Sequence, residues 1–369
     1  MTARSCEFES HPAHEGTGSM ESVSFCLSFL NWTMKTLQTG YISGVNMARV
    51  FGAIGIVVFH YGCHNDFLPF LRSSANESWG RILVALFLII SGACMARTYA
   101  THFEWKDYCI RRWKAIFPVF YITYLFFAIE HTINYGRWWY GIPGYRIIYT
   151  VLGIDGFIPF DRPNFYLVGE WFIGALIACY ILFPALLWLL KRIPLVTGAL
   201  LLVGTWFIPF LPCFTGDPFQ NLWTCTTLFY LGMLIAQSPM ILSNKVSFGV
   251  STAILLFLLV FQLPFYGYLR LFGSILTGAL LFVSLTNLGR MCEEGAQAKT
   301  VLSQLGKLSF PMFLVQHILI LRVMIHWGGD SVLTATGGLL MAIAASMLLA
   351  WIITLIHERI MLFFSRRNG

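Results

Sequence analysis

The chain has 369 residues, of which 57% are hydrophobic and only 11% charged, against roughly a quarter charged in an average soluble domain. That composition excludes an ordinary water-soluble globular protein, and no period-two alternation points to a membrane β-barrel. The formal charge of +7 comes from basic residues scattered through short segments, which excludes the dense patch of a nucleic-acid binder.

Residues 1–46 open the chain with a polar, acidic stretch, "EFESHPAHEGTGSMES", followed by "VSFCLSFL". Eight apolar-leaning residues are too few to span a bilayer, and no small-residue cleavage site follows a basic region. The expectation is a poorly ordered or surface-amphipathic leader, with Met20, Met34 and Met47 as alternative starts. From there apolar stretches follow one another as candidate spans at 47–66, 80–98, 115–131, 169–190, 195–212, 220–237, 246–264, 268–289, 306–326 and 335–357. The expected class is all-α, a polytopic transmembrane bundle of about ten helices over 47–360, closed by a short basic tail at 361–369 and the final "RRNG". With the N-terminus inside, the inner segments hold 17 of the 24 Lys and Arg and the outer segments seven. Cytoplasmic enrichment in Lys and Arg then sets both termini in the cytoplasm. Nine cysteines without a close pair read as small buried hydrophobes rather than a metal or disulfide framework.

The first span, "ARVFGAIGIVVFHYG", carries Arg49 and His60 eleven residues apart. Eleven helical residues make three turns plus about 20° and advance about 16 Å, so both side chains share one stripe at two depths. Ionisable groups within a span face a bundle interior or a wet cavity and mark function. The plain alternative is an Arg49 that snorkels to the headgroups and a His60 that caps a loop. His64 and Asp66 in "HYGCHND" also invite zinc, but a third fixed ligand is missing, and no metal site is expected. Between the third and fourth spans, 132–168 is rich in Trp, Tyr, Gly and Pro, with Arg137, Arg146 and Arg162 and a short helix expected near 145–153. It reads as an aromatic interface belt or as part of a sugar-binding face.

Arg, ten residues, then His within the first span resembles the bacterial acyltransferase family 3 of integral membrane proteins. "LFLIISGACMARTY" is similar to that family's Ser-Gly second helix, here Ser91-Gly92, and "DYCIRRWKAIFPVFYI" to its basic segment ending in aromatic-Pro. "EWFIGALIACYILFPALL" and "GKLSFPMFLVQHILI" resemble its Trp-Phe helix and its late Gly-x-x-Ser helix ending in Leu-x-x-His. The resemblance covers about residues 45–360. Two departures stand out: Ala115 replaces an Arg of the basic segment, and "ALIACY" lacks the Glu that many members carry after the Trp.

The resemblance implies transfer of an acyl group, most often acetyl, from cytoplasmic acyl-CoA to a sugar hydroxyl of an O-antigen, capsule or other exopolysaccharide, in a bacterial cytoplasmic (inner) membrane. Acyl-CoA is then a co-substrate and no permanently bound cofactor is expected. Arg49, Arg111, Arg112 and Lys114 are the expected phosphate contacts at the inner mouth. His60 is the expected general base, and His317 its expected partner, orienting the acceptor, stabilising the oxyanion or relaying the proton. Glu170, Trp171 and Arg322 are the expected acceptor-side residues, with Glu130 a further possible carboxylate for an imidazole. Competing readings are a polysaccharide transporter or flippase and an O-antigen-type polymerase.

Overall fold

The computed structural model describes residues 40–73, 78–136, 142–157, 165, 167–211, 217–261, 269–327 and 331–367. Of the leader expected at 1–46, residues 1–39 lie outside the described residues, as do Arg137 and Arg162 of the 132–168 connection. Ten long helices, and no strand among the described residues, make up the structure: α1 (Val45–Cys63), α2 (Trp79–Thr98), α3 (Trp105–Tyr135), α4 (Glu170–Arg192), α5 (Pro194–Phe207), α6 (Leu222–Ala236), α7 (Lys245–Phe261), α8 (Leu269–Cys292), α9 (Ala296–Trp327) and α10 (Val332–Arg367). A short helix, Ile147–Leu152, lies within the connection from α3 to α4.

Seven of the ten, α1 to α4 and α8 to α10, are long and apolar enough to cross a membrane, so the chain is a multi-pass membrane protein. The apolar α5, α6 and α7 have 14, 15 and 17 residues, or about 21 to 26 Å of helix, short of the ~30 Å hydrocarbon core.

Three helices outrun their apolar segments. α3 starts at Trp105 rather than near 115, α9 at Ala296 rather than near 306, and α10 runs to Arg367 through the expected tail. Hydropathy marks only the part of a helix that suits lipid, whereas Lys, Arg, Gln and Glu are strong helix formers that carry the same helix onward into water.

Small residues set how closely the helices approach, as expected where no hydrophobic force drives helices together in lipid. α1 and α2 run antiparallel as a zipper: Gly52 lies under the Phe87 ring, Gly55 under Leu83, and Gly80 under Phe59. α9 runs beside α1 in the same direction, with Gly306 against Asn46 near one end and His317 against His60 near the other. Where α2 crosses α6, Gly92 touches the Phe229 carbonyl and Gly232 touches the Ile89 carbonyl, so neither position has room for a methyl. Both obstructing atoms are backbone and cannot rotate away. Gly92→Leu is therefore expected to separate α2 from α6 and to cost at least the ~1–3 kcal/mol of an overpacked core. Thermal unfolding of the detergent-solubilised variant checks this, and a transition at the wild-type temperature would contradict the contact.

Candidate active site

A cavity of about 360 Å³ opens among α1, α2, α3, α4 and α9. Arg49, Arg112 and Lys307 line it, together with Ser91, Cys94, Tyr180 and Ser309. Each cation reaches it differently. Arg49 projects from the first turns of α1, where Nη1 donates to Asn46 Oδ1 at 3.2 Å and Nη2 to Cys94 Sγ at 3.3 Å. Arg112 is held between two rings, its guanidinium carbon 5.9 Å from the Tyr99 centroid and 5.7 Å from that of Tyr180. That spacing suits cation–π attraction. Its buried Nε has no hydrogen-bond acceptor among the described residues. Lys307 holds Glu358 of α10 at 3.7 Å, with both side chains about half exposed.

Arg111 and Lys114 lie elsewhere. Arg111 is exposed and pairs with Asp107 one turn back, Nε to Oδ2 at 2.7 Å; Lys114 is also exposed. Neither lines the cavity. The helical period accounts for the split: Arg111 sits 100° and Lys114 200° around α3 from Arg112, so one of the three faces inward.

Phe87, Phe172 and Phe313 line the cavity at its end away from the cations. Their ring centroids are 5.0 to 6.4 Å apart, which is van der Waals contact for phenyl groups and makes a closed collar. His317 follows Phe313 by one turn of α9. It meets His60 edge-on at 5.4 Å between ring centroids and His64 at 5.9 Å. Three imidazoles thus gather on the far side of the collar from the three cations. His64 joins although α1 ends at Cys63, because its ring turns back from the C-cap position.

The supports of His60 come from α10 and from the loop after α1. Tyr61, fully buried, donates to the Ala335 carbonyl at 2.7 Å, which pins the His60 end of α1 against the first turn of α10. Arg72 closes the loop by donating from Nε to the Gly62 carbonyl at 2.6 Å and from Nη2 to the Asn65 carbonyl at 3.2 Å. No group of three or more His, Cys, Asp or Glu among the described residues could hold a metal ion.

The residues expected on the acceptor side are spread out. Arg322 pairs with Glu130 of α3, Nη2 to Oε1 at 2.5 Å, with both side chains about one-third exposed. Glu130 also accepts from Asn134 at 2.6 Å. Trp171, the second residue of α4, stands beside Phe172 of the collar and turns its ring edge-on to Phe219, 6.1 Å away. Glu170 is the first residue of α4, and its side chain lies outside the described residues.

Lys307, the Tyr99–Tyr180 clamp and the phenylalanine collar escape a reading from sequence. All sit inside the quoted segments, so a helical wheel of each segment would have nominated them.

The family model described as "Acyltransferase domain" matches residues 42–355. No curated protein and no solved structure matches the chain significantly. The match spans the cavity, the collar and the histidine cluster without interruption, and the chain belongs to the acyltransferase family 3.

Proposed function

We propose that the protein is an O-acyltransferase of a bacterial cytoplasmic (inner) membrane that moves an acyl group, acetyl foremost, from cytoplasmic acyl-CoA to a hydroxyl of a surface or lipid-linked glycan. One observation carries the reading: three cations line a cavity bounded by three phenylalanine rings in mutual contact, and three imidazoles cluster one helical turn beyond those rings. The cation end suits the anionic phosphates of coenzyme A, because charge-assisted N–H donors bind phosphate oxygens strongly and Arg offers them in a planar fork. The collar suits the uncharged pantetheine arm, whose thioester passes once the phenyl rings rotate.

Beyond the collar, neutral His60 accepts the proton of the acceptor hydroxyl as its oxygen attacks the thioester carbonyl. The C–O bond forms, the C–S bond breaks, and the coenzyme A thiolate takes the proton back from the imidazolium, leaving neutral imidazole and free thiol. Imidazole suits this cycle because its ordinary pKa, near 6.5, leaves base available at neutral pH. His317, in contact with His60, orients that ring or donates to the oxyanion. The Arg322–Glu130 pair, five residues further along α9, presents donors and acceptors to the sugar.

The test places the purified protein in liposomes with [14C]acetyl-CoA inside and an O-antigen polysaccharide outside. Label is expected in alkali-labile esters on the glycan. Label that stays on coenzyme A while glycan crosses the bilayer would make the protein a transporter, and altered chain length without esters a polymerase.

A further inference from the structure

We infer that Glu293, Tyr41 and Asn46 are positioning residues that present the acceptor to which Arg49 donates its hydrogen bond, and so hold its guanidinium in the donor cavity. The inference rests on the reading of Arg49 as an acyl-CoA phosphate contact. It extends that reading to three residues outside the cavity wall.

Glu293 follows the last residue of α8 and is 9% exposed. Its Oε2 accepts from the Gly44 N–H at 2.9 Å and from Ser43 Oγ at 2.8 Å, and its Oε1 accepts from Tyr41 Oη at 3.1 Å. Gly44 is the N-cap of α1, so a carboxylate from another helix caps α1 and meets the positive end of its dipole. The approach is close enough to need glycine on both sides. Gly44, at φ 82°, lies on the Thr286 carbonyl and the Arg290 N–H, and Gly289 lies on the Gly44 carbonyl.

From Tyr41 the chain of hydrogen bonds continues to the cavity. Asn46 Nδ2 donates to Tyr41 Oη at 3.0 Å, and Asn46 Oδ1 accepts from Arg49 Nη1 at 3.2 Å. Gly306 of α9 makes room for the Asn46 amide, whose oxygen would lie 2.6 Å from a methyl placed there.

Polarity gives the chain its direction. A carboxylate only accepts, so the Tyr41 hydroxyl must donate to it, and the phenol oxygen is left to accept from Asn46. The amide is thereby oriented with its oxygen toward Arg49, which only donates. The opposite amide orientation would set N–H against N–H. Burial of the hydroxyl and the negative charge of Glu293 push the Tyr41 pKa up to about 12, which keeps the proton on the phenol.

Glu293→Gln is the diagnostic change. The Gly44 N–H still requires an acceptor, so the glutamine oxygen stays there and its NH₂ faces Tyr41. Tyr41 then turns its proton toward Asn46, the amide reverses, and Arg49 loses its acceptor. Asn46→Asp in the same chain supplies a group that accepts from Tyr41 and Arg49 alike, and repairs the fault. A role for Glu293 in capping alone predicts no such repair.

The experiment measures binding of [14C]acetyl-CoA to full-length protein in nanodiscs. Glu293→Gln is expected to weaken binding about tenfold, the worth of one hydrogen bond to a charged group, and the Glu293→Gln/Asn46→Asp double variant to return to within about twofold of wild type. Tyr41→Phe, at a side chain 57% exposed, breaks the relay while keeping the α1 cap. It is expected to weaken binding at an unchanged unfolding temperature. Wild-type affinity in Glu293→Gln or Tyr41→Phe, or a double variant no tighter than Glu293→Gln, overturns the inference. Unchanged binding in Arg49→Ala would instead sink the donor-site reading on which it stands.

Discussion

His60→Ala is expected to lower acyl transfer to the glycan by about 10²- to 10⁴-fold, the usual contribution of a positioned general base. Membrane insertion and acetyl-CoA binding should stay near wild type. The separation of effects follows from position. His60 touches His317 and Phe59 beyond the collar, whereas the cations that would bind the donor lie on the other side. Its removal also spares the contact that secures this end of α1, because that contact belongs to Tyr61 and Ala335. Initial rates of label transfer, read beside the donor affinity of the same preparation, check the prediction. Transfer at the wild-type rate would remove His60 from the chemistry, and a large loss of donor affinity would mean that collar and histidines form one compartment with the cations. His317→Ala should act on the same step. If the two imidazoles work as a unit, the double variant loses little more than His60→Ala alone.

The first span shows how far sequence carries. Arg49 and His60 are legible because a helix converts spacing into angle and depth, and both turn inward, one to the cavity and one to His317. His317 is legible through the late family segment, and its meeting with His60 follows from α1 and α9 running in parallel from the Asn46–Gly306 contact. His64 shows the limit. It belongs to the cluster through a turn after the end of α1, a geometry that no periodicity encodes. The basic segment at the start of α3 shows another: a run of charges reads as one patch, yet helical geometry sends Arg112 inward and leaves Arg111 to Asp107. Lys307 is hidden for the opposite reason. A lysine at the edge of an apolar stretch reads as a headgroup anchor, whereas in the structure it stands in the fourth turn of α9. Glu293 is beyond reach, since it meets Tyr41 and Ser43 across a helix crossing between residues some 250 positions apart.

The five nominated or observed cations separate into two classes by where they point, and that division makes the second large expected effect. Arg49→Ala, Arg112→Ala and Lys307→Ala should each raise the acyl-CoA concentration needed for half-maximal rate, about 10- to 100-fold for the arginines, as a lost charge-assisted contact requires. The maximal rate should change little, because a contact to phosphate far from the thioester holds ground state and transition state alike. Lys307 should give the smallest of the three effects, since Glu358 already shares its charge and its ammonium is well hydrated. Arg111→Ala and Lys114→Ala should leave the donor requirement near wild type, the first because its partner is Asp107, the second because it is exposed away from the cavity. Arg112→Lys tests the clamp itself. It keeps the charge but gives up the planar group seated between Tyr99 and Tyr180, and should recover only part of the loss. Steady-state kinetics with varied acetyl-CoA at low and high salt separates a bound phosphate from general attraction: exposed cations act through a field that salt screens, whereas a contact inside a half-buried cavity persists. Equal effects from all five substitutions, fading together in salt, would mean that these cations merely gather anions and that the cavity does not hold the donor.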